Sequence, residues 1–261
     1  MPVLSVNLNK IAWLRNAREG HRPSVVEAAR TVIAAGCKGI TVHPRPDQRH
    51  IRVHDVYDLA DLLQDHPDVE YNIEGNPFAG PNASGYPGFD ELIAQARPAQ
   101  ATLVPDSDDQ LTSDHGWDLA QPNSALAEKI DRYRTAGARV SLFMDPVAEQ
   151  IAAAKQHGTD RIELYTGPYA EVVWAKGDGH TDSIASMRRY EDAARYASQL
   201  GLGVNAGHDL DLVNLPLFCQ IAEVAEVSIG HALTADALEY GLFETVRKYL
   251  DILNPDEAPA V

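Results

Sequence analysis

Cysteine is almost missing from this chain: among 261 residues only Cys37 and Cys219 occur, both inside helix-like segments and outside any CxxC or zinc-finger spacing. A disulfide framework is thereby excluded, and both thiols read as reduced core residues. Long apolar runs are also lacking. No stretch approaches the roughly 20 residues needed to span a bilayer, so a membrane is not an expected partner. The N-terminal Met1-Pro2-Val3-Leu4-Ser5-Val6 enters a strand-like run without the basic and long apolar segments of a secretory signal, which predicts a cytoplasmic location. Basic residues are in short supply, 22 Lys and Arg against 38 Asp and Glu, and the formal net charge of −16 argues against nucleic acid as a partner. There is no Ser/Gly linker and no low-complexity tract. With 44% hydrophobic residues the chain can bury a substantial core, and one domain over residues 1–261 is the simplest organisation.

The charge is unevenly spread. Residues 1–52 hold nine Lys and Arg against three Asp and Glu, a local +6 that leaves −22 for the rest. Arg15, Arg18, Arg45, Arg49 and Arg52 all fall in this segment, where they can serve an anionic small substrate such as a phosphate ester or act simply as solubilising surface residues.

Short β-branched runs alternate with longer helical stretches along the whole chain, the signature of βα units around a parallel sheet. Eight strands are predicted, at 4–7, 39–43, 70–74, 101–104, 139–144, 161–165, 202–205 and 226–229, and they match the size and period of a (β/α)8 TIM barrel. Apolar residues recur at helical spacing between them, most clearly over 25–35, 124–136, 148–156, 183–200 and 233–253. A Gly- and Pro-rich stretch at 76–88 interrupts the period after the third strand, as a lid or as a plain surface insertion, and 254–261 reads as a frayed tail.

In such a barrel the chemistry collects at the C-terminal ends of the strands. Here those ends carry Asn7, His43, Glu74, Asp106, Asp145, Glu163, His208 and His231. One such histidine is ordinarily a hydrogen-bonded structural residue. Three histidines and two glutamates at equivalent ends converge on one mouth, and these are the side chains whose proton affinity is most readily tuned near neutrality. The segment around His43 adds Arg45, Arg49 and His50 on a loop stiffened by Pro44 and Pro46. Gly207-His208 and Gly230-His231 repeat a Gly-His pair after strands seven and eight, where barrels commonly bind phosphate through backbone N–H groups and a helix N-terminus.

These residues, in this order, resemble the pyridoxine 5′-phosphate synthase family. The resemblance covers nearly the whole chain and rests on Val6-Asn7, Ile11-Ala12-Trp13-Leu14-Arg15-Asn16-Ala17-Arg18, Gly39-Ile40-Thr41-Val42-His43 with Arg45 and Arg49-His50-Ile51. It continues through Asn72-Ile73-Glu74, Leu103-Val104-Pro105, Val140-Ser141-Leu142-Phe143, Val204-Asn205-Ala206-Gly207-His208 and Ile229-Gly230-His231-Ala232. It implies a barrel without metal or organic cofactor that condenses 1-deoxy-D-xylulose 5-phosphate with 3-amino-2-oxopropyl phosphate, releasing phosphate and water as a pyridine ring closes. It also implies a symmetric homo-oligomer, an octamer. By resemblance His43 and Glu74 are proton acceptors, His208 a proton donor and Glu163 a stabiliser of charged intermediates. Asn7 and Arg18 would hold the aminoketone phosphate, Arg45, His50 and Thr112 the deoxyxylulose phosphate, and Gly230 with His231 would close on a phosphate group. Two places depart from the family pattern: Asn9-Lys10 stand where it has Asp-His, and Asp209 where it has glycine. All three are kept as substrate-contact candidates.

Two other classes fit parts of the pattern. A metal-dependent barrel hydrolase or aldolase could use His43, His50, His208, His231, Glu74 and Glu163 as ligands, although the first strand has no HxH and no strand ends in a metal-bridging lysine. A barrel that only binds a phosphorylated ligand is the non-enzyme alternative. Retention of His43, Glu74, Glu163 and His208 argues against it.

Overall fold

The computed structural model describes residues 1–107 and 110–255. Eight parallel strands close into one barrel in sequence order: β1 Val3–Asn7, β2 Gly39–Val42, β3 Glu70–Gly75, β4 Gln100–Leu103, β5 Arg139–Met144, β6 Arg161–Tyr165, β7 Gly203–Gly207 and β8 Val224–Ile229. The helices are α1 Asn9–Asn16, α2 Val25–Ala34, α3 Val53–Gln64, α4 Phe89–Ala96, α5 Ser124–Thr135, α6 Ala148–Gln156, α7 Gly167–Lys176, α8 Thr181–Gln199, α9 Leu215–Phe218, α10 His231–Tyr240 and α11 Leu242–Leu253. Each predicted strand is present within one or two residues of its expected ends.

Local chemistry explains the elements. Helix α2 starts where the Ser24 hydroxyl accepts from the Glu27 N–H at 3.3 Å, and its Val25, Ala28, Ala29 and Val32 follow one helical stripe into the core. The strands bury Leu4, Val6, Ile40, Val42, Ile73, Leu142, Ile162, Leu164, Val204 and Val227 against this helical ring. Each such side chain contributes about 1.5–3 kcal/mol on burial.

The residues that alternate with them face the barrel axis and are polar. Ser5 and Thr41 share a hydrogen bond of 2.7 Å, Asn72 donates to Thr41 at 3.3 Å, and the Thr102 hydroxyl donates to Asn72 at 3.1 Å. Arg161 donates to Asn205 at 2.9 Å, and Asn205 to Gln100 at 3.3 Å. A polar interior survives burial because its members satisfy one another.

Two features differ from the sequence-based expectation. The continuous apolar periodicity over 233–253 is two helices, because Gly241 takes φ 80° and ψ 148°, a conformation open to glycine that ends α10 and turns the chain into α11. Helix α7 lies between β6 and α8 where no helix was expected. Its Gly167-Pro168 start reads as a turn in sequence but suits a first helical turn. The stretch at 76–88 is tied down against the loop after β2: Asn82 donates to the Pro46 carbonyl at 2.9 Å, Ser84 to the same carbonyl at 2.7 Å, and Gln48 to the Ser84 carbonyl at 2.6 Å. Of the tail expected at 254–261, residues 256–261 lie outside the described residues. Among the described residues no helix is long and apolar enough to cross a membrane.

Candidate active site

At the C-terminal mouth of the barrel lies a cavity of about 290 Å³ lined by Asn7, Asn9, Lys10, His43, Arg45, His50, Glu74, Thr112, Glu163, His208, Asp209, Gly230 and His231, together with Trp13, Ser113, Phe143 and Ser228. Every expected site residue is there except Arg18, which is exposed beyond the end of α1 and outside the cavity wall. Arg15 turns away into a buried ion pair with Asp55, and Asp145 accepts from the Gly116 N–H at 3.2 Å without reaching the cavity. A larger open groove of about 720 Å³ lies between α3 and α4 and holds none of these groups.

The backbone brings the set together with specific supports. Asn7 ends β1 and reaches the Glu74 carboxyl with its side-chain N–H at 3.4 Å, while its side-chain Oδ1 accepts from the Asn9 backbone N–H at 3.0 Å. Asn9 in turn accepts from the His43 N–H at 2.8 Å, so the β1–α1 turn fixes the loop that presents His43. The His50 carbonyl is clamped by Arg15 at 3.1 Å and Asn16 at 2.8 Å. Two glycines permit close approach: a Cβ at Gly230 would stand 2.9 Å from the Asn7 Cβ, and one at Gly207 would collide with Glu163 Oε1.

Burial then sets the protonation states. His43, whose Nδ1 lies 3.9 Å from Glu74 Oε2, is held far below the usual imidazole range by loss of solvent and then by Arg45, His50, Arg49 and His208, so it is a neutral ring able to accept a proton. His50 is lowered to about 3 by burial and by Arg45, Lys10 and Arg49; its Nδ1 accepts from the Ile51 N–H at 2.9 Å, which leaves the ring proton on Nε2 as a donor. Burial, followed by repulsion from Glu163, Asp106 and Glu226, pushes Glu74 well above the carboxylate range. Glu163 rises to about 8 from burial and the nearness of Glu226, and among the described residues its Oε2 has no hydrogen-bond partner. Resting Glu163 therefore holds its proton near neutrality, and Glu74 is biased toward its protonated form.

Cationic and backbone donors frame these acids. Arg45 donates to Asp106 at 2.5 Å and to the Gln110 carbonyl at 3.1 Å, and Asp106 also accepts from the Ser113 hydroxyl at 2.6 Å. Lys10 lies over the Trp13 ring at 5.0 Å. His208 Nε2 is 3.3 Å from the Thr112 hydroxyl, and the ring leans on Tyr165 with centroids 5.3 Å apart. Gly230 and His231 open α10 at the cavity wall with no side-chain cap, which leaves its first N–H groups for an anion. No group of three His, Cys, Asp or Glu side chains among the described residues is arranged to hold a metal ion.

Sequence reasoning passed over Trp13, Ser113, Phe143 and Ser228 as lining residues. The period-two alternation of polar residues along β5 and β8 carried the signal for Phe143 and Ser228, whereas Trp13 and Ser113 enter through helix and loop geometry.

The fold is shared with distant barrels: a mutant tryptophan synthase alpha-subunit from Pyrococcus furiosus superposes with a TM-score of 0.61 at 14% identity, covering 97% of both chains. Much nearer relatives exist. The chain is 57% identical over 258 residues to a protein named pyridoxine 5′-phosphate synthase from Xanthomonas oryzae pv. oryzae, covering 98% of each. A protein of the same name from Xanthomonas campestris pv. campestris is 58% identical over 251 residues, covering 96% of this chain and 95% of the relative. One from Xylella fastidiosa is 54% identical over 252 residues, covering 96% and 94%. Residues 4–255 match the family described as pyridoxal phosphate biosynthesis protein PdxJ, and with that match spanning the barrel and its mouth the chain belongs to this family of vitamin B6 biosynthesis.

Proposed function

We propose that this cavity condenses 1-deoxy-D-xylulose 5-phosphate with 3-amino-2-oxopropyl phosphate into pyridoxine 5′-phosphate, releasing phosphate and water. The observation that carries the reading is the convergence of His43, Glu74, Glu163 and His208 in one cavity that also receives the uncapped start of α10. Ring closure by successive dehydrations needs several proton transfers at one site, and four titratable groups in differently tuned surroundings supply them. His43, neutral and buried, accepts a proton. Glu74 is a stronger base than a solvated carboxylate once it has surrendered its own. His208 donates toward departing oxygen, and Glu163, protonated at rest, offsets positive charge on an intermediate by giving up its proton as that charge develops beside it.

The phosphates are assigned by charge. Gly230, His231 and the first turn of α10 suit one group, with Asn7 nearby. Arg45, His50 through its Nε2–H, and Thr112 suit the other, with Lys10 as a further cation and Asn9 and Asp209 facing substrate oxygens. Arg18 would reach the aminoketone phosphate only if the segment beyond α1 folds over the mouth.

The test is direct: the purified protein is mixed with both substrates and pyridoxine 5′-phosphate is followed by absorbance and mass. Product formed by wild type and lost in His43→Asn supports the reading. Absence of product with both substrates present overturns it. A cytoplasmic setting and a symmetric homo-oligomer accompany this reading, and light scattering on the native protein measures the latter.

A further inference from the structure

The segment that follows β7 carries two consecutive non-glycine residues at positive φ, His208 at 86° and Asp209 at 59°. Only four non-glycine positions among the described residues have positive φ, and this is their one adjacent pair. L residues adopt such angles at a cost, so the turn is held by its surroundings. Asn214 donates to the Asp209 carbonyl at 2.9 Å, and the Thr166 hydroxyl is within hydrogen-bonding distance of both the Gly207 and His208 carbonyls. The result is an acid placed beside an imidazole: Asp209 Oδ2 lies 3.9 Å from His208 Nε2, the nitrogen that also faces Thr112. Lys10 enters the same cavity from α1, its ammonium over the Trp13 ring.

We propose that Asp209 and Lys10 are positioning residues forming an opposed charge pair about His208, Asp209 favouring the protonated ring that its donor step needs and Lys10 restraining that effect. This rests on the assignment of His208 as proton donor given above. The groups facing His208 come from every side. Tyr165 on β6 packs against the ring, Asp106 approaches after β4, His43 after β2, Lys10 from α1 and His231 from α10. Burial disfavours the imidazolium most strongly; Asp209 and Asp106 oppose that loss, and Lys10 and His231 add to it. Asp106 already accepts from Arg45 and Ser113, so its charge is offset on its own side. Asp209 is the acid whose charge acts on both partners, since it also favours the ammonium form of Lys10.

The two charges therefore have opposite signs of effect on one proton. Replacing Asp209 by Asn keeps the size and a residue tolerant of left-handed angles but removes the charge, so His208 loses its proton at lower pH. Replacing Lys10 by Met removes a repelling cation, so His208 keeps its proton to higher pH. The double variant returns toward wild type.

Histidine-selective NMR titration of the whole protein, with the His208 signal identified by its loss in His208→Asn, reads this without turnover. The expected displacement in Asp209→Asn is about 0.5 to 1 pH unit downward, the scale of one charge at ~4 Å in a partly solvated site, and in Lys10→Met it is upward and smaller. The high-pH limb of kcat/KM should move in the same directions. Asp209→Gly, which relieves the left-handed backbone, separates a structural role from this one: a structural residue would leave the midpoint unmoved or gain Tm at unchanged activity, whereas the proposal requires the downward displacement. Unmoved midpoints, or both single variants moving the same way, overturn the proposal. Displacements as expected in a protein that forms no pyridoxine 5′-phosphate would leave the charge pair standing and overturn the functional reading instead.

Discussion

Replacing Glu163 by Gln should make the protein less active and should raise its stability relative to wild type progressively as pH rises. The side chain is buried on β6, its Oε2 has no partner among the described residues, and its proton affinity is raised from 4.5 to about 8, first by burial and then by Glu226. In the unfolded chain the carboxyl ionises around its ordinary value, while in the fold it keeps its proton. Below the ordinary value both states are protonated and the group is neutral in the balance. Between 4.5 and about 8 the native state binds a proton that the unfolded state has lost, so wild-type stability falls as pH rises through this window. At roughly 1.4 kcal/mol per pH unit the full window is worth on the order of 4 to 5 kcal/mol. Glutamine does not ionise and escapes the loss. Any fixed cost of burying its amide is the same at every pH and cancels in the comparison. Thermal unfolding of both proteins at pH 5 and pH 8 should therefore show the Tm difference between variant and wild type widening in favour of Glu163→Gln by on the order of 10 °C. Turnover should fall by roughly 10²-fold, the usual loss when one preorganised electrostatic group is removed. A Tm difference that does not change between the two pH values would show that Glu163 is solvated or paired in the native protein, and the argument from burial would fail.

His43→Asn and Glu74→Gln should each lower kcat by roughly 10²- to 10⁴-fold while circular dichroism stays native, and a variant within about twofold of wild type would lose its acid–base role. Arg18 and Arg45 should behave differently: Arg18→Ala, at an exposed position, alters at most one KM and leaves Tm unchanged. Arg45→Ala strands the buried Asp106 and costs about 3–5 kcal/mol of stability as well as activity, so equal Tm values would refute the ion-pair argument. Gly207→Ala should depress turnover by displacing Glu163, whose Oε1 occupies the place a Cβ would take, and unchanged kinetics would show that the carboxyl can move freely.

Periodicity alone determined the barrel. Eight β-branched runs at regular intervals leave little room for another closed parallel sheet, and equivalence of strand ends pointed to His43, Glu74, Glu163 and His208 because one mouth receives every end. The resemblance added Thr112, whose loop no pattern would have singled out. Tertiary structure alone decided the rest. Arg15 and Arg18 look alike in the run Arg15-Asn16-Ala17-Arg18, yet one is buried against Asp55 and the other exposed, since a helix that ends at Asn16 gives them different surroundings. Gly241 splits an unbroken apolar period because periodicity reports which face is buried and is silent about a single backbone angle. Protonation states were equally beyond reach of the sequence: the same residue type is a surface acid at Glu19 and a buried, proton-holding one at Glu163, and only the packing around it separates the two. Asp209 and Lys10, 199 positions apart in the chain, come to share one cavity only when β8 closes on β1 and brings the two ends of the barrel together.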